Sequence, residues 1–133
     1  MKNQYFGDLY DYLKYSLLGH LTGHGQIHSA VCWMLTEDDQ RRDGHRIEYL
    51  HQADSWSKFD PTVYSFLQEQ VLGQKRRDVK AVEDSHLLAN SRFYSDFLGD
   101  DASDRPSYIS RFLEFARGAA LVFFDPDNGI EVK

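Results

Sequence analysis

Two kinds of segment alternate along this chain of 133 residues, and that alternation restricts the fold more than any other feature. Some stretches carry apolar residues at helical spacing, and others are short apolar runs typical of buried strands. In chain order these stretches are 9–21, 27–35, 61–71, 79–82, 108–116 and 119–124. The order is helix, strand, helix, strand, helix, strand. It predicts one α/β domain over 1–133, with three layers and a mainly parallel sheet.

Local signals place the ends of the predicted helices. Asp8 is a typical N-cap for the first helix, and Asp60 followed by Pro61 is typical of the start of the second. With Tyr12 and His20 alongside, the first helix is predicted to carry one apolar stripe of leucines that recur every four residues. These are Leu9, Leu13, Leu17 and Leu21.

The remaining segments are assigned from composition. The run at 119–124 is apolar on both faces, which predicts a central strand covered on both sides. The second strand is expected at 79–82, and the aromatic cluster at 93–98 is expected to form a short helix. The polar segments 36–46 and 99–104 are interpreted as an exposed, mobile loop and as a linker.

Composition narrows the class of protein. The net charge of −6 argues against a general nucleic-acid binder, whose contact face is normally basic. No apolar run is long enough to span a bilayer, and no secretory signal is visible, so no membrane partner is expected. Cys32 is the single cysteine and cannot form an internal disulfide. We therefore expect a cytoplasmic protein.

The segment that follows the last predicted strand carries the candidate chemistry. Asp125, Pro126, Asp127 and Asn128 come directly after that strand. Open α/β sheets bind ligands at the carboxyl ends of their strands. Asp125, Asp127 and Asn128 are therefore candidate catalytic residues, and Pro126 is a candidate cofactor contact. The alternative is a plain tight turn in which these side chains cap the backbone.

Glu83 and Asp84 end the second predicted strand and form a second candidate group. An acidic residue at such a position can accept hydrogen bonds from ribose hydroxyls, so both are candidate cofactor-binding residues. The alternative is an exposed strand end. No glycine-rich phosphate loop follows the first strand, and no histidine or acidic cluster has metal-ligand spacing, so no metal site is predicted.

Two motifs resemble a family of uncharacterised bacterial and phage proteins. One is the N-terminal pair of segments at 3–8 and 11–15 (NQYFGD and DYLKY), and the other is the C-terminal segment at 123–133 (FFDPDNGIEVK). The family resembles Rossmann-like class I methyltransferases, in the neighbourhood of the three-Cys-motif partner proteins. Its longer members imply that this chain is a form shortened at the C-terminus.

The resemblance implies particular roles. In amino-methylating members an Asp-Pro-Pro-aromatic motif ends the fourth strand and holds the target nitrogen. Asp125 and Pro126 match its first two positions, whereas Asp127 and Asn128 depart from it and the stacking aromatic is missing. The ribose ligand of the family maps to Glu83 or Asp84. S-adenosylmethionine is the implied cofactor, although its glycine-rich loop has no match here.

Three functions remain open from the sequence. The first is binding of a nucleotide-type ligand through strand-end carboxylates, as a methyltransferase relative. The second is a metal-dependent nuclease or phosphodiesterase that uses Asp125, Asp127 and Glu131. The third is a non-catalytic binding module, in which an exposed sheet edge and surplus aromatic residues favour a homo-oligomer. Whether the chain is an enzyme stays open.

Overall fold

A computed structural model describes residues 1–39 and 44–126, which form an α/β domain. Its three strands are β1 (Ser29–Cys32), β2 (Ser91–Tyr94) and β3 (Leu121–Phe124). All pairings are parallel, and the strand order is β2-β1-β3. The α-helices are α1 (Leu9–Leu21), α2 (Ala53–Trp56), α3 (Pro61–Gln68), α4 (Lys80–Glu83) and α5 (Arg105–Phe115). The predicted fold class is confirmed.

The alternation of side chains along β1 divides the core into two parts. Val31 and Trp33 point into the larger cluster, which α1, α3 and α4 cover. Ala30 and Cys32 point to the opposite face, where they pack against α5. Because each face of the sheet carries its own helices, the domain has three layers. Cys32 is fully buried in the smaller cluster.

The prediction of the second strand was wrong. Residues 79–82 lie in and beside helix α4, whose first turn is held by a bond from the Lys80 amide to Asp78 Oδ1 (2.8 Å). The expected helix at 93–98 instead begins as strand β2. Short apolar runs do not distinguish strand from helix by periodicity alone. Here the ring of Phe93 stacks on Trp33 across the sheet, with centroids 5.6 Å apart.

The position predicted for β3 was also wrong. Within the described residues β3 lies at an edge of the sheet, and β1 is the central strand. Phe123 packs towards the larger cluster and Phe124 towards α5, which explains why both faces of β3 are apolar. Val122 is nevertheless 39% exposed. An apolar run on both faces therefore reflects two covering layers and not a central place in the sheet.

The buried face of α1 differs from the predicted leucine stripe. Leu13, Leu17 and Leu21 are each about half exposed. The helix buries Tyr12, Tyr15 and Leu18 instead. Aromatic rings bury more apolar area than leucine does, and the hydroxyl of Tyr12 reaches a partner by donating to the carbonyl of Trp56 (2.9 Å). The first helix is thus apolar on two faces.

Two segments interpreted as loop and linker hold specific contacts. In the described part of 36–46, the Gln4 amide donates to Asp38 Oδ1 (3.0 Å), and Lys2 pairs with Asp39 (2.5 Å). The linker segment contains the 3₁₀ turn Ala102–Asp104, which Asp101 caps through the Ser103 amide (2.8 Å). No helix among the described residues has the length and apolar character needed to cross a membrane.

Removing the N-cap of α3 should destabilise the domain by about 1 kcal/mol. Asp60 Oδ1 accepts a hydrogen bond from the Val63 amide (3.0 Å), as the Asp60-Pro61 pair predicts. Asp60→Ala leaves that amide without its partner, which urea unfolding monitored by circular dichroism would measure. Asp60→Asn keeps a capping oxygen and should change the free energy of unfolding much less. Equal losses in both variants would contradict the capping role.

Candidate functional site

The strand order identifies one end of the sheet as the candidate site, where the Met1 ammonium donates to the carbonyls of Met34 (3.1 Å) and Asp125 (3.2 Å). The chain leaves β1 for β2 on one side and then returns to β3 on the other, so the order reverses between β1 and β3. In open α/β sheets such a reversal, at the carboxyl ends of the strands, is the usual place for a ligand. Trp33 follows β1 and Asp125 follows β3, and the Asp125 amide donates to the Cys32 carbonyl (2.9 Å).

Helix α1 brings a cation to the end of β3. Lys14 Nζ lies 2.6 Å from Asp125 Oδ2 and 2.7 Å from Asp11 Oδ1. The second oxygen of Asp11 accepts the Gly7 amide (2.9 Å), which fixes its carboxylate at the start of the helix. All three side chains are at least 87% buried. We call Asp11, Lys14 and Asp125 the strand-end cluster.

The cluster holds two acids and one base. For Lys14, burial acts to lower the pKa of the ammonium, but the charges of Asp11 and Asp125 outweigh it and the pKa is raised. For Asp125, burial raises the pKa, and the charge of Asp11 adds to that effect while Lys14 opposes it. Because burial outweighs the charges of Lys14 and of the Met1 ammonium, the pKa of Asp125 is raised and Asp125 takes up a proton more readily than an ordinary aspartate.

Tyr15 lies beside the cluster. Its side chain is fully buried, and within the described residues its hydroxyl has no partner at hydrogen-bonding geometry. Burial, together with the charges of Asp11 and Asp125, raises its pKa well above the ordinary value, so the hydroxyl stays protonated. The Asp11 carboxylate interacts with this hydroxyl, so Tyr15 supports the cluster from within the core.

Glu83 and Asp84 do not act as a pair. Glu83 ends α4, and its Oε1 accepts hydrogen bonds from Trp33 Nε1 (2.9 Å) and from the Ser95 hydroxyl. It therefore links the chain after β1 to the chain after β2. Asp84 is half exposed and binds Lys80 (2.9 Å) and Arg76 (3.2 Å), which lower its pKa. The expectation that both acids follow a strand is wrong.

Sequence reasoning missed Asp96, Lys14 and Asp11. Asp96 is the acid that follows β2, and it accepts a hydrogen bond from the Tyr94 hydroxyl at Oδ2 (2.8 Å). It was missed because β2 was placed earlier in the chain. Lys14 and Asp11 lie within the N-terminal motif. The motif itself was the signal, since its charged residues meet the C-terminal motif in space.

Several predicted residues cannot be compared with the structure. Asp127, Asn128 and Glu131 lie outside the described residues. Pro126 is described, directly after Asp125. Over residues 1–39 and 44–126 there is no group of three or more His, Cys, Asp or Glu side chains that could hold a metal ion.

Comparison of the chain with protein-family models, with curated proteins and with solved structures finds no match. The chemistry of the site therefore has to follow from its own residues. The N-terminal and C-terminal motifs meet there, since the Lys14–Asp125 contact joins residues that are 111 positions apart. This contact places a buried cation and two carboxylates at the end of the sheet where the strand order reverses.

Proposed function

We propose that this domain binds a nucleotide-type ligand at the carboxyl ends of β1 and β3, as a relative of Rossmann-like methyltransferases. The observation that carries the proposal is the strand-end cluster, in which Lys14 Nζ lies 2.6 Å from Asp125 Oδ2 directly after β3. Rigid elements on both sides hold these charges, because Lys14 belongs to α1 and Asp125 continues a paired strand. Charges held in this way are suited to orienting a ligand.

Asp96 supports the proposal from the neighbouring strand. It follows β2, is exposed, and carries a carboxylate that can accept hydrogen bonds from ribose hydroxyls. In the proposal Asp96 takes the role that the family resemblance gave to Glu83 or Asp84. Glu83 already accepts two hydrogen bonds from the protein, so it positions Trp33 and Ser95.

The charge of the cluster favours one class of ligand group. The three side chains together carry one excess negative charge, which the Met1 ammonium partly offsets at Asp125. An amine or a sulfonium would complement that excess. S-adenosylmethionine carries both groups as well as a ribose. No glycine-rich turn follows β1 at 33–36, so a nucleoside fits this site better than a dinucleotide does.

Calorimetric titration tests the proposal. S-adenosylmethionine, S-adenosylhomocysteine, adenosine and ATP are titrated into the protein, and at least one is expected to bind with a Kd below about 1 mM. Asp125→Asn and Asp96→Asn should each weaken that binding about 10-fold or more, since each removes a charged acceptor.

Asp84→Asn is the matched control. Asp84 is an acid that pairs with Lys80 and Arg76. Its substitution by Asn should leave the affinity for the bound compound unchanged. Circular dichroism of each variant separates loss of binding from loss of fold. Failure of all four compounds to bind more tightly than about 1 mM would overturn the proposal.

The nuclease alternative depends on residues that the structure does not describe. It needs Asp125 together with Asp127 and Glu131, of which only Asp125 lies within the described residues. It therefore stays a prediction. Incubation of the protein with DNA and RNA in the presence of Mg²⁺ tests it, and cleavage that Asp125→Asn does not reduce would contradict it.

A further inference from the structure

We propose that the outward face of α1 is the interface of a twofold-symmetric dimer of this chain. The face consists of Tyr10, Leu13, Leu17 and Leu21, which we call the α1 stripe. Their side chains are between 50% and 61% exposed. The opposite face of the same helix carries the buried residues Tyr12, Tyr15 and Leu18. This inference concerns a different surface from the proposed ligand site.

A helix that is apolar on both faces is normally covered on both faces. The α1 stripe forms a continuous row, because residues three and four apart are neighbours on a helix surface. Contiguous exposed apolar surface of this kind is typical of an interaction site. The other large apolar residues that are exposed in the described part of the chain, such as Leu113 on α5, form no comparable row along a helix.

The spacing of the α1 stripe matches a second copy of itself. Leu13 and Leu21 lie four residues on either side of Leu17. When two copies of α1 pack in antiparallel sense about an axis at Leu17, Leu13 of one copy meets the partner's Leu21, and both Leu17 side chains meet at the axis. A row spaced by four residues is also the ridge that packs into the groove of another helix. The interface would be isologous, as in most dimers.

The charges around the α1 stripe agree with this arrangement. Lys14 borders the row, but Asp11 and Asp125 neutralise it within its own chain. The Arg46 guanidinium lies over the Tyr10 ring, 5.5 Å from its centroid, and donates to the Tyr10 hydroxyl (3.1 Å). In the antiparallel pair this cation lies near the carboxyl end of the partner's α1, where the helix dipole favours positive charge.

Sedimentation equilibrium over a range of concentrations tests the dimer. We expect the wild type to be a dimer at micromolar concentration. Leu17→Lys should raise the Kd of dimerisation about 100-fold or more, because both copies then place a charge at the axis. Leu113→Lys is the matched control, since Leu113 is 53% exposed on another helix and should leave the Kd unchanged. Leu17 is itself half exposed, so its substitution should leave the fold intact.

Cross-linking tests the position of the axis. Leu17→Cys should form a disulfide between two copies on mild oxidation, because the axis brings the two thiols together. Cys32 is buried and does not interfere. Leu113→Cys should remain monomeric on a non-reducing gel. A wild type that stays monomeric throughout, or cross-linking at position 113 as efficient as at position 17, would overturn the proposal.

Discussion

Lys14→Met should destabilise the domain by about 3–5 kcal/mol at pH 7. The substitution keeps an unbranched side chain as far as Cε but removes the ammonium that Asp11 and Asp125 share at 2.7 and 2.6 Å. Two buried carboxylates are then left without their cation, and an uncompensated buried charge is far more costly than the loss of an exposed pair. Urea unfolding compares the free energy of unfolding of the two proteins. The loss is a large fraction of the stability of a typical domain.

The loss in Lys14→Met should shrink as the pH falls. Burial already raises the pKa of Asp125, and removal of the Lys14 charge raises it further. An acid whose pKa is higher in the folded state than in the unfolded state contributes stability below its unfolded pKa and loses it as the pH rises through the folded pKa. The variant should therefore approach the wild type near pH 4 and fall furthest behind it near neutral pH.

Lys80→Met is the control for this experiment. Lys80 pairs with Asp84 at 2.9 Å on the surface of α4, where both side chains are about half exposed or more. Exposed pairs of this kind contribute little, so no measurable change is expected. If Lys14→Met cost no more than Lys80→Met, or if its cost were the same at pH 4 and pH 7, the cluster would not be a buried, charged network.

The parts of the fold that sequence predicted are those fixed by local chemistry. Asp8 and Asp60 accept backbone amides at the starts of α1 and α3, as expected from capping residues. The runs that became β1 and β3 are bounded by turn or charged residues, so their strand character was visible. Such signals act over a few residues and need no knowledge of the rest of the molecule.

The errors in the predicted fold arose where contacts between distant segments decide the secondary structure or the buried face of a helix. The segment 79–82 is the more apolar one, whereas 91–94 begins with Ser91 and Arg92, and only packing shows which of the two enters the sheet. Phe93 is drawn into the sheet because its ring stacks on Trp33. In α1 the leucine stripe and the tyrosine face are both apolar, and periodicity cannot tell which one the core accepts.

The candidate site shows the same division. Asp125 was found from its place after an apolar run, which is a local signal. Its partner Lys14 was not found, because the contact spans 111 positions and depends on how α1 lies over β3. Asp96 was missed because an acid at a strand end is recognisable only once the strand is placed. Sequence thus placed Asp125 directly after a strand but did not find the residues that contact it.

Gly7→Ala should be about as disruptive as Lys14→Met, with a loss of about 2–5 kcal/mol from two separate causes. Gly7 lies in the N-terminal motif with a φ of +81°, a conformation that side-chain-bearing residues rarely adopt. A Cβ atom at this position would also collide with Val71 Cγ2 in the core. Its amide and carbonyl bond Asp11 (2.9 Å) and the Tyr49 hydroxyl (3.1 Å), so the backbone cannot move away without disturbing the strand-end cluster.

Gly118→Ala separates the two causes. Gly118 has nearly the same φ, +83°, but a Cβ there meets nothing within 4 Å. The decrease in the free energy of unfolding of Gly118→Ala should reflect backbone strain alone, about 1–2 kcal/mol. The excess in Gly7→Ala is then the cost of the collision, and a double-mutant cycle with Val71→Ala should recover that excess and no more. Equal losses at both glycines would show that Val71 moves aside, and that the dihedral angle of Gly7, rather than its contact with Val71, is what excludes a side chain there.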